Sequence, residues 1–152
     1  MRIALTLVTG LALAACATTS PAPVAQQFTQ TSGSPAALVN AIRKQAGVSG
    51  VKRSRVLDAA AKAHANDMAS NNFFGHTGSN GSSVAKRVKA AGYTWCTVSE
   101  NVGKGYRSSP RAIEAWRVSR GHYRNMVNRK AREFGFARSG DYSVMVLAAR
   151  KC

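Results

Sequence analysis

The stretch from Tyr142 to Ala149 is apolar on both of its alternating faces. Tyr142, Val144 and Val146 fall on one face, and Met145, Leu147 and Ala149 on the other. Successive side chains of a strand point to opposite sides of a sheet, so a strand of this kind has to be covered twice. That requirement excludes a sheet with one solvated face and calls for a helical layer on each side.

The rest of the chain supplies those layers. Ser34 and Pro35 form a helix start, as N-cap and first-turn proline, with Leu38, Val39 and Ile42 on one face and Gly47 as the stop. Ser54 is placed to cap a longer helix whose inner stripe is Leu57, Ala60, Ala61, His64 and Met68, ended by Asn71-Asn72. Ser83 opens a short helix with Val84, Val88 and Ala91 on one side, ended by Gly92. Ser109-Pro110 starts another, with Ile113 and Trp116 inward, which Gly121 loosens or ends just before His122; a last helical turn runs to Val127. Thr94 to Val102 is β-branched and aromatic and reads as a strand. Glu133–Ala137 and Tyr142–Ala149 form a hairpin around Ser139-Gly140. The expected fold is α+β, a three-layer α/β/α sandwich around a small, mainly antiparallel sheet of three strands.

That domain occupies residues 36–152, roughly 117 residues, enough for one core. What precedes it has a different composition. Residues 1–15 read as a signal peptide, with Arg2 followed by an apolar run from Ile3 to Ala15 that is too short for a standard transmembrane helix. Leu13-Ala14-Ala15-Cys16 resembles a bacterial lipobox, which makes Cys16 the acylated mature N-terminus; ordinary signal-peptide cleavage nearby is the alternative. From Cys16 to residue 35 the chain has no charge and is rich in Pro, Ser, Thr and Gln, the composition of a flexible tether. The expected location is the bacterial cell envelope, exported and lipid-anchored.

The three cysteines fit this reading. With Cys16 given to lipid, Cys96 and Cys152 remain, and an exported compartment permits a disulfide. Two free thiols are the alternative; the bridge is the expectation, worth about 2–4 kcal/mol.

The formal net charge is +16. Basic residues cluster at Lys52-Arg53-Arg55, Lys86-Arg87-Lys89, Arg117 to Arg132, and Arg150-Lys151. Outside the cytoplasm such a surface points to anionic lipid or cell-wall polymers rather than nucleic acid, with a merely solubilising surface as the bland reading. Oligomeric state is not legible.

Three residues stand out for chemistry: His76 in Phe74-Gly75-His76-Thr77-Gly78, Glu100 in Ser99-Glu100-Asn101-Val102, and His122 in Gly121-His122-Tyr123-Arg124-Asn125. Imidazole transfers protons near neutral pH and is the commonest metal ligand, and a carboxylate can orient it. These segments are turn-rich and border loops, where functional side chains concentrate. His64, by contrast, lies on an apolar helix face and reads as a buried, hydrogen-bonded core histidine.

Those segments, with Ala61 to Ala69, Ala90-Ala91-Gly92-Tyr93-Thr94-Trp95, Trp116 and the final hairpin, resemble the CAP superfamily of cysteine-rich secretory, antigen 5 and pathogenesis-related proteins, in its compact bacterial branch. The resemblance implies the same sandwich fold. It also implies a cleft lined by His76, Glu100 and His122, with His76 and His122 as the ligands where members of the family bind divalent metal. The larger eukaryotic members carry a further glutamate and histidine in a longer segment that is absent here.

No cofactor is required by these residues; a divalent ion such as zinc would find two histidines, with Glu100 as ligand or supporting partner. No serine sits in a nucleophile elbow. The leading expectation is a membrane-tethered binding protein whose ligand is a lipid, a sterol-like molecule or an envelope polymer. The competing class is a metal-assisted, protease-like hydrolase using His76, Glu100 and His122.

Overall fold

The strand with two apolar faces lies inside the sheet, and helices cover it on both sides. A computed structural model describes residues 33–152; the signal segment 1–15, Cys16 and the tether up to residue 32 lie outside the described residues. The elements in chain order are α1 (Pro35–Gln45), β1 (Lys52–Arg53), α2 (Arg55–Ser70), α3 (Val84–Ala90), β2 (Thr97–Lys104), α4 (Ser109–Val118), α5 (Arg120–Met126), β3 (Glu133–Ser139) and β4 (Tyr142–Ala149). The sheet order is β1-β3-β4-β2. Strand β4 runs antiparallel to both neighbours, β1 parallel to β3, and every residue of β4 is buried.

The alternation along β4 sorts the core. Tyr142, Val144, Val146 and Ala148 pack with α2 and α3 through Leu57, Ala61, Met68 and Val88. Met145 and Leu147 pack with α1, α4 and α5 through Val39, Ile113, Trp116 and Met126. The α/β/α sandwich is therefore the arrangement that one strand's pattern demands.

Four details differ from expectation. The sheet has a fourth strand, β1, whose two charged residues carry no strand pattern; it is held by backbone bonds from Lys52 N to Arg132 O and from Ser54 N to Phe134 O, each 2.9 Å. Strand β2 starts three residues later than Thr94 and runs on to Lys104, because Gly103 and Lys104 stay in register with Ser143 and Tyr142. Ser54 occupies the N-cap of α2 without a side-chain cap bond. Finally, Gly121 does not end a helix. The break falls at Ser119, extended at φ −93° and ψ 115°, which closes α4 and opens α5.

Two contacts fix the layers. Helix α2 lies directly on β3 at Gly135, and Asp58 in its first turn accepts a hydrogen bond from Phe136 N at 2.9 Å. On the other side, buried Arg43 of α1 donates to Met126 O at 2.6 Å, a carbonyl that the end of α5 leaves without a helical partner, and to Asn128 O at 3.1 Å just beyond that helix. Burial, then the charge of Arg132, lowers the pKa of this guanidinium.

Cys96 and Cys152 form a disulfide with a Cα–Cα distance of 5.9 Å, tying the approach to β2 to the chain end. Beside it, the Arg150 guanidinium lies 4.0 Å from the Tyr93 ring centre, and the buried Tyr93 hydroxyl donates to Glu133. Burial, then that carboxylate, raises the tyrosine pKa.

Candidate functional site

Strand β2 lies at the edge of the sheet, and two adjacent residues on it serve opposite layers. Glu100 pairs with Val146 and shares its face, toward α2 and α3; Asn101 pairs with Met145 and faces α4 and α5. The site is built around this edge from both sides.

On the first side Glu100 is a buried hub. Its Oε1 accepts from His76 Nδ1 at 2.9 Å, and its Oε2 accepts from Arg87 Nη2 at 2.8 Å. Arg87, on α3, also donates to the carbonyl oxygens of His76 at 2.9 Å and Ser82 at 2.6 Å. One guanidinium thus joins the carboxylate to both ends of the 76–82 loop. Asp67 of α2 holds the middle of that loop, accepting from Ser79 N at 2.9 Å and Ser79 Oγ at 2.5 Å. These bonds, the Ser79 hydroxyl first, keep the Asp67 carboxyl below its ordinary pKa.

A carboxylate only accepts hydrogen bonds, so His76 carries its proton on Nδ1 and turns Nε2 outward. The side chain is 60% exposed while the Glu100 side chain is 2% exposed. A solvent-facing imidazole held by a buried carboxylate can accept a proton, donate one or bind a ligand with fixed geometry.

His64 lies beneath this pair. It is fully buried; its Nε2 donates to Gly75 O at 2.8 Å and lies 3.9 Å from Glu100 Oε1. Its Nδ1 is buried without a hydrogen-bond partner among the described residues. Burial lowers the His64 pKa, with Glu100 opposing. The residue belongs to the core, as its apolar face implies, and it also supports the backbone that leads into His76.

On the second side Asn125 of α5 donates to Glu100 O at 3.1 Å and to Asn101 Oδ1 at 2.9 Å, and Asn101 donates to His122 O at 3.1 Å. Helix α5 thereby covers the polar edge of β2, which would otherwise present unpaired backbone groups. His122 is half-buried, with Nδ1 2.9 Å from Ser119 Oγ and its ring 6.2 Å from that of Trp116. Trp116 in turn donates to Val102 O at 3.2 Å. Burial, then the charge of His76, lowers the His122 pKa. The two imidazoles are mounted on opposite sides of β2.

Of the three residues singled out in the sequence, His76 and Glu100 touch directly, while His122 is linked to Glu100 only through its backbone carbonyl, by way of Asn101 and Asn125, and its ring bonds Ser119. Sequence reasoning missed Arg87, which sat in a basic cluster and was read as charge alone. It also missed the roles of Asn101 and Asn125, although both stand in the quoted motifs. Glu114 pairs with Arg117 on α4 at 2.6 Å, away from this network.

A zinc site draws on four protein ligands when structural, and on three plus water when catalytic. Among the described residues no group of three or more His, Cys, Asp or Glu side chains converges to hold a metal ion. Within the same residues His76 and His122 each keep Nε2 free of any protein hydrogen bond, but Glu100 is taken up by His76 and Arg87. The residues present offer two imidazole donors, short of a full zinc set. Past the end of β2 lies a hollow of about 320 Å³ lined by Gly105, Tyr106, Arg107 and Arg111.

Comparison with known proteins agrees with this architecture. The chain is 31% identical over 91 residues to the uncharacterized protein YkwD of Bacillus subtilis (strain 168), covering 60% of this chain and 35% of that protein. It is 29% identical over 91 residues to the uncharacterized membrane protein YlbC of the same organism, covering 60% of this chain and 26% of that protein. The chain thus spans about a third or less of these relatives' length. Among solved structures, an extracellular protein containing a SCP domain from Bacillus anthracis str. Ames superposes with a TM-score of 0.74 at 21% identity, over 77% of this chain and 39% of that one. An outer surface protein from Borrelia burgdorferi gives 0.69 at 21% identity, over 76% of this chain and 89% of that one. Residues 36–147 match the model of the cysteine-rich secretory protein family, CAP, and the chain belongs to that family.

Proposed function

We propose that this protein is an exported, membrane-tethered CAP-domain binding protein that recognises an envelope ligand at the edge of β2 between His76 and His122. One observation carries the reading: the exposed His76 ring is fixed by a carboxylate whose two oxygens are both engaged, by His76 and by Arg87. Glu100 is held in place as a support, and the surface it supports is a shaped polar edge. Ligand capture needs only such a shape and a few placed polar groups. A lipid, a sterol-like molecule or a cell-wall polymer is the proposed ligand class. Export is supported by the lipobox-like Leu13-Ala14-Ala15-Cys16, the Cys96–Cys152 disulfide and likeness to an extracellular and an outer surface protein. Zinc is not required in this reading; a divalent ion taken up by the Nε2 atom of His76 or His122 would complete its shell with water or ligand.

A second reading has one specific support. His76 with Nδ1 on a carboxylate and Nε2 facing solvent is also the arrangement that activates water. The deciding experiment incubates purified protein, with and without zinc, with lipid vesicles, sterol dispersions, cell-wall sacculi, peptides and esters. The binding reading expects retention of one envelope material, lost in His76→Ala and His122→Ala with folding intact, and no turnover. Turnover abolished by Glu100→Gln, with folding and binding preserved, would replace it with the hydrolase.

A further inference from the structure

From Arg107 to Lys130 the chain carries seven basic residues and one acidic residue. The acid, Glu114, is occupied by Arg117. The side chains of Arg107, Arg111, Arg120, Arg124, Arg129 and Lys130 are exposed and have no hydrogen-bond or ion-pair partner among the described residues. The α2–α3 layer differs. There Arg53 pairs with Asp58 and Arg87 with Glu100, while Arg55, Lys62, Lys86 and Lys89 have no carboxylate partner among the described residues. Six basic side chains without a carboxylate partner on the α4–α5 side, against four on the other, make it the more strongly cationic layer.

Two more features sit on this layer. Val118, at the corner between α4 and α5, is 71% exposed, while Arg120 and Arg124 stand one turn apart just beyond it. An apolar side chain flanked by free guanidinium groups suits the boundary between headgroups and acyl chains, where a dissolved polyanion would leave the valine in water. Residues 1–32, the proposed anchor and tether, enter the described chain at α1, which packs in this same layer against α4 and α5.

We infer that the α4–α5 layer is a docking face for an anionic lipid bilayer, with Arg120 and Arg124 engaging headgroup phosphates and Val118 entering the interface. This deepens the membrane-tethered reading and rests on it: the anchor keeps the protein at the membrane, and this face sets how the domain lies there. Each basic residue near an anionic surface adds attraction, and salt weakens it.

The test uses the full-length chain carrying Cys16→Ser, so that no acyl chain contributes, sedimented with vesicles of phosphatidylcholine alone or with phosphatidylglycerol. The expected result is salt-sensitive binding to the anionic vesicles only. Arg120→Glu with Arg124→Glu should weaken it by about tenfold or more. Lys86→Glu with Lys89→Glu, the same charge change on the opposite layer, should weaken it by less than about threefold. Equal losses in the two variants would overturn the proposal in favour of diffuse net-charge attraction. Equal binding to neutral vesicles would also overturn it, as would retention of inorganic polyphosphate without vesicle binding. A parallel fractionation of cells expressing the unaltered chain separates the two ideas. If that chain stays in the membrane while the Cys16→Ser chain ignores anionic vesicles, the tether stands and the docking face falls.

Discussion

Gly135 sits so close beneath Leu57 that a Cβ built on it would lie 2.1 Å from the Leu57 carbonyl carbon. The obstructing atoms are backbone, so no side chain can rotate away. Gly135→Ala should push α2 off β3 and destabilise the domain by about 3 kcal/mol, the upper range for overpacking. Chemical denaturation measures this. Because α2 carries His64, the same variant should broaden the NMR signals of the His76 loop.

Arg87 is the second target. Arg87→Met keeps much of the apolar stem but leaves Glu100 buried without its guanidinium. Breaking a buried pair in this way costs about 3 kcal/mol or more. Amide exchange between residues 76 and 82 should accelerate beyond what the global loss of stability accounts for, since His76 O and Ser82 O both lose the guanidinium as a donor.

A third prediction concerns acid. Burial lowers the pKa values of His64 and His122 in the folded state. As pH falls below about 6.5, the unfolded chain takes up protons that the folded chain refuses, so stability should decline toward lower pH until the folded values are reached. His64→Gln keeps an N–H for Gly75 O and removes one titrating group. Its melting temperature should fall less between pH 7 and pH 5 than that of the unaltered protein.

The Cys96–Cys152 bridge closes a sequence separation of 56 residues. Replacing both cysteines by serine should lower stability by about 2–4 kcal/mol. Exchange protection should drop first where Cys96 N bonds Ala149 O, at the shared end of β2 and β4.

The ring of His76 offers a finer check. Nitrogen shifts should show the proton on Nδ1 in the unaltered protein, and a mixture of tautomers in Glu100→Ala, where the carboxylate that selects one of them is gone.

The doubly apolar β4 made the sandwich legible, because only a two-sided covering satisfies it. The short β1 was not, since two charged residues that pair through backbone groups leave no periodic trace. Glu100 and His76 were legible as chemistry. Their geometry was not, because it depends on which face of β2 each residue takes and on Arg87, whose role comes from the loop folded over it. His64 was legible as core, while its hold on Gly75 arises only once the 71–76 turn brings that carbonyl back over α2. The break at Ser119 escaped because Gly121 is the stronger sequence signal, although a glycine in the first turn of a short helix is well tolerated.

The loop from His76 to Ser82 has no regular secondary structure, yet Arg87 holds its ends, Asp67 holds its middle, and Gly78 N bonds Ser82 O at 2.9 Å. Its conformational entropy is therefore lost when the domain folds, before any ligand arrives. A ligand of the kind proposed would meet at His76 a surface that needs little further ordering, so little entropy would oppose association. If the proposed binding function holds, the irregular segment is the rigid part of the recognition surface, and selectivity has to come from shape rather than from adaptation.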